Sequence, residues 1–358
     1  MSFSVSNLQQ AVHKAATDAV QTVQTPGARR VLVTAAVALA GLAAIKRLNR
    51  LLNNYALGNP LLTTQSDAWN NWSKEIVLIT GGSSGMGRIM VTEFARRGIK
   101  VVVLDRQRPL EKGDPRDNGS TNAEPAFPGP EQGVHFYEYD LMGSDEDLKK
   151  MADRIRREVG EPTVLINNAG VGHGLTLLGA STTQMRTVVG VNALAPMLLT
   201  REFLPAMIRR GHGHIVLMAS MASFVTIVGN VDYSATKAGL LAFYEGLTQE
   251  LKHSYGAPNI RTTVVHPHFV RTPLLGEAAV DTDANNRKRY HGDLLDARYV
   301  STTIVEQVLA GRSGQLFFPP KFAVASVLRA LPVWLQERVR DSLATVLDRP
   351  MSLGLSKT

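Results

Sequence analysis

The chain has 358 residues, of which 44% are hydrophobic and 20% are charged, as is ordinary for a globular protein that can bury a large core. It contains no cysteine, which excludes disulfides, a thiolate nucleophile and a cysteine-ligated zinc site. The formal net charge is +8, yet most of the excess lies in residues 1–66, which contain six basic residues and one acid. The charge therefore gives no indication of a nucleic-acid-binding surface on the rest of the chain.

The N-terminal region has the composition of a membrane anchor. An uncharged apolar run of fifteen residues occupies 31–45, between two pairs of basic residues. A helix that spans a bilayer needs roughly 20 apolar residues, and snorkelling of flanking basic side chains reduces this requirement. We therefore predict that residues 1–57 form a basic and apolar membrane-anchor segment. A buried internal helix and a cleaved mitochondrial presequence are the alternatives, since the first 50 residues are basic and nearly free of acids.

Beyond a polar linker at 58–74, short apolar runs alternate with segments of helical periodicity. The runs are rich in Val and Ile, which is typical of parallel strands that are buried on both faces. They predict strands within 75–80, 100–105, 134–140, 163–170, 214–220, 260–267 and 314–319. Helices are predicted after the first strand, from a capping box at Ser144, around 181–209 and after Tyr233. This alternation predicts a Rossmann-like α/β fold, a doubly wound parallel sheet, in a single catalytic domain at 75–320.

Two segments interrupt the alternation. Residues 106–133 contain five prolines, which favours an exposed loop over a regular crossover helix. In the C-terminal tail, 321–358, apolar residues recur at helical spacing beside several arginines: Leu331, Leu335, Val339, Leu343, Val346 and Leu347. This pattern predicts an amphipathic helix that either packs on the core or faces a membrane.

The turn between the first strand and the first helix reads TGGSSGMG at 80–87. Glycines at this position let backbone N–H groups approach a pyrophosphate at the helix N-terminus, where larger side chains would obstruct it. A lone glycine pattern also fits an ordinary flexible turn, but the strand–turn–helix context favours a dinucleotide site. The predicted cofactor-binding residues of this turn are Gly81, Ser83, Ser84, Gly85, Met86 and Gly87.

Two acidic residues close the following strands. Asp105 ends the second strand, where a carboxylate accepts hydrogen bonds from the adenosine ribose and repels a 2′-phosphate. NAD(H) is therefore favoured, although Arg106 and Arg108 stand next to it and keep NADP(H) possible. Asp140 ends the third predicted strand and is placed either to reach the adenine edge or to cap the following turn.

Three side chains suited to proton transfer, a hydroxyl, a phenol and an ammonium, stand close together in the sequence. Tyr233 and Lys237 are one helical turn apart on the same face, so the ammonium can stabilise a phenolate. Lowering the phenol pKa from 10 to about 7 takes roughly 4 kcal/mol. Ser220 ends a predicted strand, at the carboxyl edge where ligands bind in such sheets, and Asn192 is a poor residue for a helix interior. The Tyr233–Lys237 pair taken alone is also compatible with a polar helix face.

The ordered motifs of residues 75–320 resemble those of the short-chain dehydrogenase/reductase family. They are the glycine turn at 80–87, Asn-Asn-Ala-Gly at 167–170, Asn192, Ser220, and Tyr233-x-x-x-Lys237. The resemblance implies a Rossmann fold and a catalytic tetrad of Asn192, Ser220, Tyr233 and Lys237, with Tyr233 and Lys237 also contacting the cofactor. It further implies that Asn167 and Asn168 buttress the cofactor site and that Thr272 lies near the nicotinamide carboxamide.

The chain departs from the family pattern after the sixth strand. His268 stands where family members commonly have glycine, which makes that turn bulkier. His266 and His268 form a possible metal pair, but no third ligand is evident in the sequence, so no metal site is predicted.

The apolar N-terminal segment and the C-terminal tail resemble those of membrane-associated retinol and 17β-hydroxysteroid dehydrogenases. This resemblance implies a lipophilic alcohol or ketone as substrate, such as a retinoid, a steroid or a long-chain compound. It also implies a location on the endoplasmic reticulum or lipid droplets with the catalytic domain facing the cytosol, a mitochondrial location being the alternative. Residues 270–297 are expected to form a substrate lid, and a homodimer is possible. The competing function is a non-catalytic, nucleotide-binding scaffold at a membrane or lipid-droplet surface.

Overall fold

The computed structural model describes residues 26–59, 69–109, 127–275 and 294–344. The chain divides into two compact units, Met1–Leu57 and Gly58–Thr358. Several predicted features lie partly outside the described residues: the presequence, the linker, the proline-rich loop, most of the lid and the end of the tail with Val346 and Leu347.

In the first unit, Pro26–Ala56 forms one helix of 31 residues, α1. Among the described residues, its span Arg29–Ala56 is the one helix long and apolar enough to cross a membrane. The mean hydropathy of its apolar stretch is 1.9. At 1.5 Å per residue these 28 residues reach about 42 Å, against roughly 30 Å of hydrocarbon. The fifteen-residue apolar run therefore underestimated the length of the helix.

In the second unit, the described residues form a seven-stranded parallel sheet in the order β3-β2-β1-β4-β5-β6-β7. The strands are β1 Ile76–Thr80, β2 Lys100–Asp105, β3 Val134–Glu138, β4 Val164–Asn167, β5 His214–Met218, β6 Arg261–Pro267 and β7 Gly314–Phe318. The order reverses between β1 and β4, which is the switch point where ligands bind in open α/β sheets. The predicted doubly wound sheet is confirmed.

The helices of this unit cover both faces of the sheet. They are α2 Gly85–Ala95, α3 Asp145–Glu158, α4 Thr182–Val189, α5 Ala195–Arg210, α6 Val231–His253, α7 Ala297–Leu309 and α8 Val333–Ser342. Side chains alternate along each strand, so Ile79 of β1 packs in one core with α2 and α7. The adjacent Leu78 packs in the other core with α3, α5 and α6. Both neighbours are fully buried, which explains the continuous apolar runs of the strand sequences.

Several element ends differ from the predicted ones. The capping box at Ser144 is confirmed, because its Oγ accepts from the Asp147 N–H while Asp147 accepts from the Ser144 N–H. Strands β3 and β5 end two residues early, so Asp140 and Ser220 stand in the loops that follow them. The predicted helix at 181–209 consists of α4 and α5, joined by a π-helical turn at Gly190–Leu194.

The described ends of the predicted linker pack on the catalytic unit. Asn59 exchanges two hydrogen bonds with the backbone of Ser313, at 2.7 and 2.8 Å. Ser313 immediately precedes β7, and Trp69 is 1% exposed. The chain therefore enters the catalytic unit at the amino edge of the sheet, opposite the carboxyl edge.

The C-terminal tail begins at the carboxyl edge, directly after β7. A 3₁₀ helix at Pro320–Ala330 is followed by α8, none of whose residues is buried. The apolar positions predicted in the tail that the structure describes, Leu331, Leu335, Val339 and Leu343, are partly buried. Four other apolar side chains of the tail are exposed, Val324, Val327, Val333 and Trp334, and we call them together the C-terminal apolar surface.

Candidate functional site

Two positions in the turn from β1 into α2, Gly81 and Gly87, have room only for glycine. Gly81 has φ +65°, and a Cβ there would lie 2.9 Å from the Cα of Ala169. A Cβ on Gly87 would lie 2.1 Å from the carbonyl oxygen of Gly81 and 2.7 Å from Nδ2 of Asn168. Such separations are well inside van der Waals contact, so any larger residue would force the turn open.

The N-terminus of α2 has the character of an anion site. Ser84 precedes the helix with extended backbone, and its side chain does not cap the helix. The first N–H groups of a helix carry partial positive charge and suit a pyrophosphate. A Cβ on Gly85 would lie 3.4 Å from Thr272, so Thr272 lies beside the glycine turn, while its contact with the nicotinamide carboxamide stays a prediction. Met86 is tied to α7, because its carbonyl accepts a hydrogen bond from Ser301 Oγ.

The two adjacent asparagines have different surroundings. Asn168 holds the glycine turn, since its Nδ2 donates to the carbonyls of Thr80 and Gly81 at 3.0 Å. Asn167 is 2% exposed, and in the described structure neither its Oδ1 nor its Nδ2 has a hydrogen-bond partner. Buried amides are normally satisfied, so Asn167 retains unused hydrogen-bonding capacity at the switch point.

Asp105 lies at the end of β2 and faces the glycine turn. Its Oδ2 accepts from the Ser83 N–H at 3.0 Å, and its Oδ1 accepts from the Gln107 N–H at 3.2 Å. Each carboxylate oxygen has a second lone pair, so both can still accept a ribose hydroxyl. The neighbouring Arg108 is mostly exposed and stands 3.9 Å from Glu138. These residues fit a dinucleotide with a free ribose hydroxyl.

Asp140 caps its own turn. Its Oδ1 accepts from the Met142 N–H at 2.9 Å, and its carbonyl accepts from the Gly143 N–H. The capping alternative therefore occurs in the structure, while a contact between Asp140 and adenine stays a prediction.

Asn192 lies in the π-helical turn and is completely buried. Its Oδ1 accepts from the Val171 N–H and its Nδ2 donates to the Val171 carbonyl, both at 2.8 Å. The regular α-helical bonding is therefore interrupted at Asn192, and π-turns within α-helices commonly occur at functional positions. The amide fixes the loop after β4 against the helix that carries it.

Ser220, Tyr233 and Lys237 converge at the carboxyl edge of the sheet. Ser220 follows β5, and its hydroxyl donates to the carbonyl of Pro267 at 3.3 Å. Lys237 is 3% exposed, and its Nζ donates to the Met218 carbonyl at 2.7 Å. The same Nζ lies 5.4 Å from the centroid of the Tyr233 ring. The polar-helix-face alternative is excluded for this pair, because the Lys237 ammonium is directed into the protein.

Burial sets the protonation of both groups. It raises the pKa of the Tyr233 phenol, an effect opposed by a hydrogen bond with Ser220. It also lowers the pKa of Lys237 from 10.5 to about 8. Burial therefore favours the neutral phenol, and the positive charge expected to stabilise the phenolate is that of Lys237 together with an oxidised nicotinamide ring.

The two histidines after β6 pack among aromatic rings. His266 is buried, and its ring stacks on Phe317 at 5.0 Å, while its Nδ1 lies 3.3 Å from the Ser220 carbonyl. His268 meets the edge of Phe322 at 5.1 Å. Burial lowers the pKa of His266 to about 4, so its ring is neutral.

One ionisable pair beside the tyrosine was missed from sequence. His173 Nε2 and Asp232 Oδ2 are 2.6 Å apart, although 59 positions separate them in the chain. In the sequence, His173 lies three residues after the Asn-Asn-Ala-Gly motif and Asp232 directly precedes Tyr233. No local spacing indicates that the two side chains contact each other.

Comparisons with known proteins agree with this geometry. A family model described as short chain dehydrogenase matches residues 75–283. Dehydrogenase RED2 of Cochliobolus heterostrophus is 42% identical over 202 residues, which cover 56% of this chain and 70% of that protein. Epidermal retinol dehydrogenase 2 of Mus musculus is 33% identical over 70% of this chain and 76% of its own length. Retinol dehydrogenase 10-B of Xenopus laevis is 36% identical, over 57% of this chain and 64% of its own length.

Solved structures show the same fold at low sequence identity. A short-chain dehydrogenase from Streptomyces avermitilis superposes with a TM-score of 0.56 at 23% identity, covering 75% of this chain and 95% of that one. A 4-hydroxyisoleucine dehydrogenase complexed with NADH superposes with 0.55 at 22% identity, over 68% and 96% of the two chains. A serine dehydrogenase complexed with NADP+ gives 0.55 at 23% identity, over 68% and 93%.

Proposed function

Because the chain belongs to the short-chain dehydrogenase family and is an NAD(P)-dependent oxidoreductase of CH–OH groups, we propose that it interconverts a lipophilic alcohol and its carbonyl, with Tyr233 as acid and base. The observation that carries this proposal is the convergence of Tyr233, Ser220 and the buried Lys237 ammonium at the carboxyl edge.

Each residue has a task that follows from its position. When bound, a nicotinamide cofactor supplies the hydride chemistry. In oxidation, Tyr233 takes the proton of the substrate hydroxyl, and in reduction it returns a proton to the carbonyl oxygen. Ser220 orients the same oxygen by a hydrogen bond. Since burial raises the Tyr233 pKa, the phenolate needs nearby positive charge, which Lys237 and an oxidised nicotinamide ring supply together.

For the cofactor, the proposal is a preference for NAD(H). The Asp105 carboxylate is held beside the glycine turn by the Ser83 N–H, where it would repel a 2′-phosphate. Arg108 is mostly exposed, and its Nε lies 3.9 Å from a carboxylate oxygen of Glu138.

For the substrate, two observations support a lipophilic molecule. A shallow depression at the start of α6 is lined by Leu175, Leu177, Met185 and Val231 together with Ala180 and the His173–Asp232 pair, and Asp232 directly precedes Tyr233 in the chain. Two of the relatives are named retinol dehydrogenases. An apolar wall with few polar groups suits an alcohol whose one polar atom is directed to Tyr233.

The decisive experiment compares two tyrosine variants of the full-length, detergent-solubilised protein. Retinoid, steroid and long-chain alcohols are screened for NADH formation, and Tyr233→Phe is expected to lose at least a hundredfold in turnover while still binding NADH. The matched control is Tyr255→Phe, because Tyr255 is exposed and its hydroxyl donates to Glu250 at 2.9 Å. Wild-type turnover by Tyr233→Phe would refute the assignment, and a protein that binds NADH but oxidises none of these alcohols would favour the scaffold.

For location, we propose attachment to the endoplasmic reticulum or lipid droplets, with the catalytic unit in the cytosol. Helix α1 and the C-terminal apolar surface support this proposal, and Trp334 within that surface is a residue type typical of membrane interfaces.

Deletion of residues 1–57 tests the attachment. It is expected to move most of the protein from the membrane fraction to the soluble fraction, with cofactor binding retained, because those residues form a unit separate from the catalytic one. Replacing the two exposed valines Val324 and Val327 with Ser reports the contribution of the C-terminal apolar surface. Recovery of the full-length protein in the mitochondrial matrix without its N-terminus would contradict the anchor.

A further inference from the structure

A histidine and an aspartate link two elements that carry the catalytic residues. His173 lies in the loop after β4, and Asp232 lies in the first turn of α6. Their Nε2 and Oδ2 atoms are 2.6 Å apart, and the side chains are only 10% and 13% exposed. A hydrogen bond this short and this shielded is a firm connection between the loop and the helix.

The hydrogen bonds of His173 define its tautomer. Its Nδ1 receives the N–H of Leu175 at 3.1 Å, and a backbone N–H can only donate. Nδ1 is therefore the acceptor, and Nε2 carries the proton that is donated to Asp232. The ring direction is fixed from both sides, since neither nitrogen can exchange its role without losing a hydrogen bond.

Asp232 connects this bond to the backbone of the catalytic tyrosine. While Oδ2 accepts from His173, Oδ1 accepts from the Tyr233 N–H at 2.8 Å. One carboxylate thus holds the start of α6 and the loop after β4 in a fixed relation. The N-cap residue of α6, Asn230, supplies no side-chain cap to the helix.

The loop held in this way packs directly on the catalytic side chains. A Cβ on Gly170 would lie 3.6 Å from both Asn192 Oδ1 and Lys237 Nζ. A Cβ on Gly172 would lie 3.5 Å from Cδ2 of the Tyr233 ring. A small displacement of the loop would therefore change the space beside the phenol, and misplacement of reacting groups by about 1 Å can lower rates by roughly 10²-fold.

We propose that His173 and Asp232 form a positioning pair that holds Tyr233 in register with the loop after β4 and with Lys237. The pair acts through Tyr233 and takes no part in proton transfer itself. The inference rests on the proposed function only in assigning Tyr233 as the acid and base.

The test uses the full-length protein in detergent and three variants. His173→Ala removes the donor, and Asp232→Asn keeps an acceptor for the Tyr233 N–H but presents an amide donor to the proton on His173 Nε2. His173→Gln retains a side-chain N–H donor and is the rescue variant. The Tyr233 phenol is titrated by ultraviolet difference absorbance with NAD+ present, each protein being referenced to its own Tyr233→Phe version.

His173→Ala and Asp232→Asn are expected to raise the apparent pKa of Tyr233 in the NAD+ complex by about one unit, because the phenol no longer lies at its best distance from positive charge. His173→Gln is expected to stay closer to wild type than either. With all-trans-retinol as the probe substrate, kcat falls about tenfold or more while the Kd for NADH changes less than about twofold.

The matched control is His212→Ala. His212 also pairs with a carboxylate, Glu75, at 3.1 Å, but at the amino edge of the sheet. The His212→Ala variant is expected to leave the Tyr233 titration unchanged. A general loss of stability is thereby distinguished from a loss of positioning at Tyr233. A Tyr233 titration in both His173→Ala and Asp232→Asn equal to that of wild type would overturn the inference. Failure of the proposed function would appear separately, as turnover by Tyr233→Phe.

Discussion

Replacing Lys237 with methionine is expected to remove a rise in stability with pH that the wild-type protein shows above neutrality. Lys237 is 3% exposed, and burial lowers its pKa from 10.5 in the unfolded chain to about 8. Between these values the unfolded chain binds more protons than the folded one. The free energy of unfolding therefore increases with pH through this window.

The magnitude follows from the two pKa values. A shift from 10.5 to about 8 corresponds to roughly 3 kcal/mol at neutral pH, where the buried ammonium opposes folding most strongly. Raising the pH from 7 to 9.5 should recover about 2 kcal/mol of this in the wild type and none of it in Lys237→Met. Loss of the hydrogen bond to the Met218 carbonyl changes the unfolding free energy of the variant by an amount that does not depend on pH.

The assay is urea denaturation of the detergent-solubilised protein at several pH values between 7 and 9.5, followed by tryptophan fluorescence. The informative quantity is the difference in unfolding free energy between wild type and Lys237→Met, because other titrating groups cancel in it. Lys149→Met, at an exposed lysine on α3, is the control. A plot of its unfolding free energy against pH should run parallel to that of wild type. Parallel curves for Lys237→Met and wild type would show that the buried group has no lowered pKa.

Two further substitutions test the cofactor site. Gly87→Ala should lower stability by about 1–3 kcal/mol and weaken NADH binding at least tenfold, because its Cβ would meet the Gly81 carbonyl at 2.1 Å; Gly246→Ala, in open space on α6, should be neutral or stabilising. NADH titration by fluorescence and thermal melting measure both effects, and equal NADH affinity in the two variants would count against a tight cofactor turn. Asp105→Asn keeps one carbonyl acceptor but removes the charge, so the affinity for NADP+ relative to NAD+ should improve about tenfold. An unchanged ratio in calorimetric titrations would mean that Asp105 does not govern the choice.

Much of the catalytic unit could be predicted because its patterns are local. Buried parallel strands are continuous apolar runs, and the glycine turn is contiguous, so the order of strands, turn and helices was readable along the chain. The Tyr233–Lys237 spacing was equally local, since a helix places residues four apart on one face.

The tertiary structure decided what depends on burial and on distant partners. Burial raises the pKa of the Tyr233 phenol, which the four-residue spacing could not show, because spacing gives proximity to an ammonium but not the loss of solvent. The packing of Asn59 and Trp69 at the amino edge also depends on distant partners, since Asn59 bonds to Ser313. The His173–Asp232 bond joins positions 59 apart, and no periodic pattern encodes it. Sequence alone determined which chemical groups this protein has and the order of its elements, whereas desolvation and contacts between distant segments exist only once the chain has folded.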